Sequence, residues 1–315
     1  MKTLSPGTAG RAAALPRGQQ KKTPIDRELR RKWKTTLLAW GVLLPSLLFL
    51  GTFTIYPILS SLIKSFYKDD LATVIPRFIG LQNYTGLLND PIFAKSFFNN
   101  LLVAVCTVPT SIALAVAMAV FTNKVIAGKG IVRTAFFYPT ILPMVAVANI
   151  WLFIYTPIYG LASYLNPAWR ILGNPDTAIW GLIVMLIWKQ AGYLMIFYLS
   201  GLQGIPSELY EAAMIDGSGP LQTFRNITWP MLRPTTLYIT IIALTNAYKT
   251  VDHLYIMTKG GPNNSTNMLL FYIYQVGFDF WDTGKASAMT IVLIVLLLTV
   301  TCVYFFTQDK KTFYN

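Results

Sequence analysis

The sequence predicts an all-α membrane protein with six transmembrane helices and both termini in the cytoplasm. Hydrophobic residues make up 54% of its 315 residues and charged residues only 12%, and the mean hydropathy is +0.49. A soluble surface cannot be built from so few charges. Long stretches hold no charged side chain, and the basic residues lie mostly before and between them. The formal charge of +13 is therefore typical of a membrane protein rather than of a nucleic-acid-binding one.

The predicted spans follow from the uncharged stretches, since a spanning helix needs about 20 apolar residues. Three stretches are unambiguous, and they lie between Lys34 and Lys64, Lys95 and Lys124, and Lys285 and Asp309. A fourth run, 133–170, is too long for one helix, and its Pro, Gly and Tyr residues at 156–160 predict an exit loop. Two further runs are interrupted by charge. The six spans are expected near 35–60, 97–122, 133–155, 179–202, 235–256 and 286–307.

The orientation follows from the basic residues, which are retained on the cytoplasmic side. With the N-terminus inside, the cytoplasmic segments hold roughly 17 of the 26 Lys and Arg. Residues 1–33, rich in Pro, Gly and cations, are predicted to be a flexible basic cytoplasmic tail, and 34–315 the membrane domain. The apolar run after Lys34 is too long for a signal peptide and is expected to be an uncleaved first span.

The cytoplasmic loop 203–233, between the fourth and fifth spans, is predicted to fold as two short helices. Ser207 is an N-cap candidate, and Gly217 and Gly219 are expected to end the first helix before a second begins at Pro220. The first helix carries the acids Glu208, Glu211 and Asp216. Helices that bind lipid surfaces usually carry Lys and Arg instead. The acids therefore favour docking to a protein over binding to lipid.

This loop resembles a known motif. Glu211-Ala212-Ala213, followed by Gly217 and then by Ile227 and Pro230, matches the EAA loop of ATP-binding cassette importer permeases, with Trp229 where Leu is usual. The string 202–217 is similar to the carbohydrate importers of the maltose and glycerol-3-phosphate kind. The segments 78–84 and 259–262 support that subgroup.

The resemblance implies the type I importer permease fold and a binding-protein-dependent importer in a bacterial or archaeal cytoplasmic (inner) membrane. This chain would form the path for a sugar, polyol or sugar-phosphate with a second homologous permease. A periplasmic or lipid-anchored solute-binding protein would deliver the solute. ATP and Mg would bind to partner ATPase subunits, and no cofactor to this chain. The ATPase-coupling residues would be Glu208, Glu211, Ala212, Ala213, Asp216 and Gly217.

Polar residues inside the predicted membrane must face protein or water, because a buried ion there is costly. Trp188, Lys189, Gln190 and Tyr193 on the fourth span, with Asn246 and Lys249 on the fifth, are predicted to line the substrate pathway. Carried over from the maltose-type permease, the solute positions also include Leu186 and Ala243. An alternative pairs Lys189 or Lys249 with Asp252. The lysine does not by itself diagnose an anionic solute.

The sequence leaves two other function classes open, a membrane-embedded enzyme and an importer for a non-carbohydrate solute. A membrane-embedded enzyme would need paired carboxylates or a suitably placed histidine, and Asp279 and Asp282 are the close acid pair on the last outer loop. They are expected to be solvated loop residues. His253 is the single histidine and Cys106 and Cys302 lie in apolar runs, so no catalytic or metal site is predicted. An importer for an amino acid or an ion remains the second alternative.

Overall fold

The structure is a computed structural model that describes residues 24–72, 75–123, 128–166 and 168–309. Residues 1–23 of the predicted tail lie outside the described part. The chain divides into two units, 1–58 and 59–315, and each is described by itself.

The first unit is helical throughout its described part. Helix α1 (Pro24–Leu50) continues through a π-helical turn (Gly51–Ile55) into α2 (Tyr56–Lys64), which ends in the second unit. Proline is well placed in a first helical turn because it has no N–H to leave unsatisfied. Because α1 begins at Pro24, residues 24–33 of the tail that was predicted to be flexible are helical in the structure.

The second unit is a helical assembly with one short antiparallel pair of strands, β1 (Tyr67–Lys68) and β2 (Arg77–Phe78). Its helices are α3 (Gln82–Leu88), α4 (Pro91–Asn123), α5 (Lys129–Ile141), α6 (Met144–Tyr155), α7 (Leu161–Leu165), α8 (Pro175–Gln203), α9 (Ser207–Ile215), α10 (Pro220–Thr223), α11 (Trp229–Met231), α12 (Arg233–Lys249), α13 (Asp252–Met257), α14 (Leu269–Tyr274) and α15 (Thr283–Asp309). Two π-helical turns, Phe224–Thr228 and Gln275–Asp279, follow α10 and α14.

Helices α4 and α8 form the centre of this unit and pack against each other along their length. One cluster of buried side chains joins them to α6 and α13, and it includes Val103, Val147, Leu182 and Leu254. A second joins them to α12. A third joins α4 to α14 and α15. Helix α8 therefore packs against α12, which carries the predicted pathway residues of the fifth span.

Four helices of the described chain are long and apolar enough to cross a membrane: Lys32–Lys64, Pro91–Asn123, Pro175–Gln203 and Thr283–Gln308. They contain the first, second, fourth and sixth predicted spans. The bent pair α5 and α6 would make a fifth.

The third predicted span, 133–155, is not one straight helix, and this is a correction. Helices α5 and α6 meet at an angle of 98°. The break lies at Leu142, which is extended with ψ 134°, and at Pro143. A proline disfavours helical geometry in the residue before it and has no N–H to continue the helix. The sequence signal was therefore present at residue 143.

The fifth predicted span, 235–256, also differs from the structure, because α12 ends at Lys249 and α13 is a separate helix. Thr250 is extended with ψ 116°. Its N–H and its hydroxyl both donate to the carbonyl of Asn246, at 3.2 and 2.9 Å. These bonds satisfy the end of α12, and the β-branched pair Thr250-Val251 does not favour continuing it.

Candidate functional site

The first candidate site is the surface of helix α9. The helix begins at Ser207, with Pro206 in the N-cap position, so the prediction of Ser207 as N-cap is wrong by one residue. Proline at 206 starts the helix through its fixed backbone angle and not through a side-chain bond.

Helix α9 ends in a Schellman motif that depends on Gly217. Gly217 has a φ of +74°, which is open to glycine and strained for other residues. Its N–H donates to Met214 at 3.1 Å, and the N–H of Ser218 donates to Ala213 at 2.9 Å. A Cβ at Gly217 would meet no atom within 4 Å. Gly217 is thus needed for its backbone conformation, because a Cβ at this position would not clash with the rest of the chain.

The predicted coupling residues divide into one that anchors the helix and five that are exposed. Ala213 is buried against the chain. The hydroxyl groups of Tyr210 and Thr228 lie 3.2 Å apart and join α9 to the π-helical turn after α10. The exposed residues are Glu208, Glu211, Ala212, Asp216 and Gly217.

Sequence reasoning missed the apolar part of this surface. Met214, Ile215 and Leu221 are 69%, 87% and 80% exposed. Exposed large apolar side chains that lie together are typical of a surface that contacts another protein or a membrane. The run Met214-Ile215 in a short exposed helix was the available signal.

The second candidate site is a cavity of about 340 Å³ between α4, α5, α6, α8 and the end of α12. It is lined by Thr107, Thr140, Met144, Leu186, Lys189, Gln190, Tyr193, Asn246, Ala247 and Thr250. Four of the six predicted pathway residues, and Leu186, are therefore brought together around one cavity. Hydroxyl and amide groups dominate its polar lining.

The remaining predicted pathway residues do not line this cavity. The ring of Trp188 lies edge-on to the ring of Trp151, with centroids 5.7 Å apart, and is 40% exposed. Lys249 is exposed at the last turn of α12. Ala243 is fully buried, and its carbonyl accepts a hydrogen bond from Gln190 Nε2 at 3.5 Å.

Lys189 makes its contacts with backbone carbonyls and not with an acid. Its Nζ donates to the carbonyl of Leu142 at 2.7 Å and to that of Pro139 at 3.2 Å. Among the described residues, no ion pair joins Lys189 or Lys249 to Asp252. The structure therefore contradicts the pairing alternative.

Three cavity threonines were missed by sequence reasoning. Thr107 precedes Pro109, Thr140 precedes Pro143, and Thr250 follows the last turn of α12. The Thr107 hydroxyl donates to Val103 at 2.7 Å within its own helix, so its lone pairs remain available to a ligand. For Thr107 and Thr140, a threonine two or three residues before a proline in an apolar stretch was the available signal.

The segments that carried the subgroup resemblance have structural roles at the opposite end of the unit from α9. Asn83 donates to the carbonyls of Ser65 and Tyr67 at 2.8 and 2.9 Å. In the segment after α13, the carbonyl of Asn263 accepts a hydrogen bond from Lys95 at 2.6 Å. These contacts fasten the loops to α4 and to the end of α2.

A polar cluster joins α4, α14 and α15 at the same end. The carboxylate of Asp90 accepts hydrogen bonds from Lys285 Nζ and from the Tyr272 hydroxyl, each at 2.7 Å. Burial opposes ionisation of Asp90, but these bonds and one from the Phe93 N–H outweigh it and hold its pKa below the usual range. Sequence reasoning did not identify this cluster.

The residues considered for enzyme or metal chemistry do not form a site. Asp282 accepts a hydrogen bond from the N–H of Lys285 at 2.9 Å and so caps the start of α15. His253 is fully buried in α13. Among the described residues no three His, Cys, Asp or Glu side chains lie close enough to hold a metal ion.

Comparison with known proteins identifies the family. Residues 110–310 match the family model described as "Binding-protein-dependent transport system inner membrane component". The chain is 33% identical to the sulfoquinovosyl glycerol transport system permease protein SmoG of Agrobacterium fabrum, over 85% of this chain and 89% of that protein. It is 31% identical to the trehalose/maltose transport system permease protein MalF of Thermococcus litoralis, over 87% of this chain and 94% of that protein.

A solved structure shows the same fold. The bacterial ABC transporter that imports the acidic polysaccharide alginate aligns with a TM-score of 0.78 and 22% identity, over 90% of this chain and 99% of that chain. The fold is therefore that of an ABC importer permease.

The comparisons confirm the resemblance that the cytoplasmic loop indicated. The matched relatives are permease subunits of transport systems, so the chain is a transport component and not an enzyme, and the two alternative classes are not favoured. The family description also places it in the inner membrane as a multi-pass protein. This chain belongs to the family of inner-membrane components of binding-protein-dependent transport systems.

Proposed function

We propose that this chain is one of two homologous permease subunits of an ATP-driven importer for a carbohydrate or polyol. The cavity supports the solute class, because its polar lining consists of three threonine hydroxyls, a tyrosine and two amides beside Lys189. Hydroxyl and amide groups exchange hydrogen bonds with sugar hydroxyls, while an aromatic ring packs against the apolar face of a sugar. The named solutes of the relatives, trehalose, maltose and sulfoquinovosyl glycerol, are of the same class.

One observation carries the mechanism: α8 joins the two candidate sites. Lys189, Gln190 and Tyr193 line the cavity from the middle of α8, and the same helix runs on to Gln203. Helix α9 begins four residues later, at Ser207. In this proposal, a displacement of α9 by a partner passes through residues 204–206 into α8 and along α8 to the cavity wall.

The partner at α9 is, in this proposal, an ATPase subunit that holds ATP and Mg. The exposed acids Glu208, Glu211 and Asp216, beside Met214 and Ile215, suit a cleft with an apolar floor and basic or polar rims. A periplasmic or lipid-anchored binding protein delivers the solute from the other side. A solved alginate transporter contains such a periplasmic protein.

The proposed topology has six spans, with α5 and α6 together forming the third and α12 the fifth, and both termini in the cytoplasm. This places α9 inside and the 259–267 segment outside. Maleimide labelling in whole cells tests it, using Gln222→Cys and Asn263→Cys, both at exposed positions, in a chain without Cys106 and Cys302. An impermeant reagent is expected to label residue 263 in intact cells and residue 222 only after permeabilisation. The reverse pattern would overturn the topology.

The solute site is tested by uptake in proteoliposomes that hold the complex with its partner subunits. Gln190→Ala and Asn246→Ala each remove a cavity amide and are expected to raise the KM for a transported sugar about tenfold. Asn149→Ala is the matched control, because Asn149 is exposed and donates only to Val145 of its own helix, at 2.9 Å. Unchanged KM in both cavity variants would place the solute elsewhere.

A further inference from the structure

The carbonyl groups of Pro139 and Leu142 have no backbone donors at the bend between α5 and α6. In a helix, the carbonyl of Pro139 would accept from the N–H of residue 143. That residue is Pro143, which has no N–H. The carbonyl of Leu142 lies between the two helices, because Leu142 follows the last residue of α5 and Pro143 precedes α6. Lipid cannot replace such bonds inside a membrane, so these groups need a donor from the protein or from water in the cavity.

Lys189 of α8 supplies donors to both carbonyls. Its Nζ lies 3.2 Å from the oxygen of Pro139 and 2.7 Å from that of Leu142. Two of the three ammonium donors are thereby used. The end of α5 also carries the partial negative charge of a helix C-terminus, which favours a cation at this point. Lys189 thus supplies hydrogen-bond donors that backbone N–H groups would supply in an unbroken helix.

The backbone of α8 contacts α5 directly one turn further on. A Cβ at Gly192 would overlap the carbonyl oxygen of Phe136, so only glycine permits this approach. The Thr140 hydroxyl also donates to the carbonyl of Lys189 at 3.4 Å. The last turn of α5 and the bend after it are therefore fixed to α8 at successive points. Thr140 and Met144, on the two sides of the bend, form part of the cavity wall.

We propose that Lys189 is a positioning residue: its ammonium holds the bend between α5 and α6 on α8 and does not bind the solute. This assignment rests on the proposed function, in which the cavity is the solute site. Lys189 then sets the position of the cavity wall at Thr140 and Met144. It acts on the rate of the transport cycle and not on solute affinity.

The shape of the bend is tested first, by a measurement that does not depend on transport. Spin labels at Thr134→Cys on α5 and Asn149→Cys on α6, both exposed positions, report the bend by pulsed EPR in the complete complex without Cys106 and Cys302. Lys189→Met removes all donors and is expected to shift and broaden the distance distribution. Lys189→Gln keeps two amide donors and is expected to stay close to the wild type. Identical distributions in all three proteins would overturn the proposal, even if the proposed function is correct.

Transport kinetics then separate positioning from binding. Uptake is measured against concentration with trehalose as a neutral probe and glycerol 3-phosphate as an anionic one. Lys189→Met is expected to lower the maximal rate about tenfold with little change in KM, and Lys189→Gln to recover most of that rate. A tenfold rise in KM at an unchanged rate, or selective loss of the anionic probe, would make Lys189 a solute ligand. If the wild-type complex takes up neither probe, the EPR result alone decides the role of Lys189, and the solute class is decided separately by the wider panel of solutes.

Discussion

The ammonium nitrogen of Lys189 lies 2.7 Å from the carbonyl oxygen of Leu142, which joins α8 to the break between α5 and α6. The helix that carries this lysine leads directly toward α9, whose exposed surface holds Glu208 and Glu211. The cavity wall and the proposed ATPase surface are thus connected through one helix.

Gly217→Ala is expected to weaken coupling to the ATPase, because a side chain at φ +74° costs about 1 kcal/mol of backbone strain in the turn that ends α9. Gly219→Ala is the matched control, since Gly219 has a φ of −71° and open space around its Cβ position. Solute-stimulated ATP hydrolysis by the complex measures the effect. Gly217→Asp adds a charge and is expected to uncouple transport while the spans remain inserted. Normal transport and assembly in Gly217→Asp would contradict the docking surface.

Gly192→Ala is expected to destabilise the α5 and α8 contact, because the added Cβ meets the backbone oxygen of Phe136, which cannot rotate away. Overpacking of this kind costs about 1 to 3 kcal/mol. Gly86→Ala, at an exposed helical position with open space, is expected to be neutral or slightly stabilising. Thermal unfolding of the purified complex compares the two. Equal melting temperatures would mean that the helices do not approach as closely as described.

Trp188→Ala tests the one predicted pathway aromatic that lies outside the cavity. The ring packs on Trp151, so its loss is expected to cost about 1 kcal/mol of stability and to leave the ranking of transported solutes unchanged. Uptake of a sugar panel by the variant measures the ranking. A changed ranking in a normally assembled complex would place the ring in the pathway, as the sequence suggested.

The Asp90 cluster is expected to lose its contribution to stability in acid. The pKa of Asp90 is lowered in the folded state, so its stabilisation is present above the unfolded pKa of about 3.9 and is lost as pH falls through the folded value. The melting temperature of the wild type is therefore expected to fall more steeply below about pH 4 than that of Asp90→Asn. Parallel pH profiles would show that the bonds from Lys285 and Tyr272 do not favour the ionised carboxylate.

The sequence predicted the helices that depend on composition and missed the breaks that depend on single residues. Uncharged apolar runs located α4 and α15 to within about six residues of their ends, and an apolar run interrupted by Lys189 located α8 to within four. The bend at Pro143 and the end of α12 at Lys249 were missed, because a proline or a β-branched pair inside an apolar run does not change its average hydropathy.

The residues of the candidate site were predicted in part, but the contacts of Lys189 were not. The position of Lys189, Gln190 and Tyr193 inside the fourth span predicted that they line the pathway, and all three line one cavity. The partners of Lys189 could not be predicted, because they are backbone carbonyls exposed by a break that was itself unpredicted. Opposite charge alone had suggested Asp252 as an alternative partner of Lys189.

The most direct test of the account is solute-stimulated ATP hydrolysis by the complex, purified through a tag on this chain and reconstituted in lipid with its binding protein. A panel of neutral sugars, polyols, sugar phosphates and amino acids is compared at equal concentration. A sugar or polyol is expected to stimulate hydrolysis, and Gln190→Ala and Asn246→Ala are expected to shift its concentration dependence. Stimulation by amino acids alone, or stimulation by a sugar that neither cavity variant alters, would contradict it.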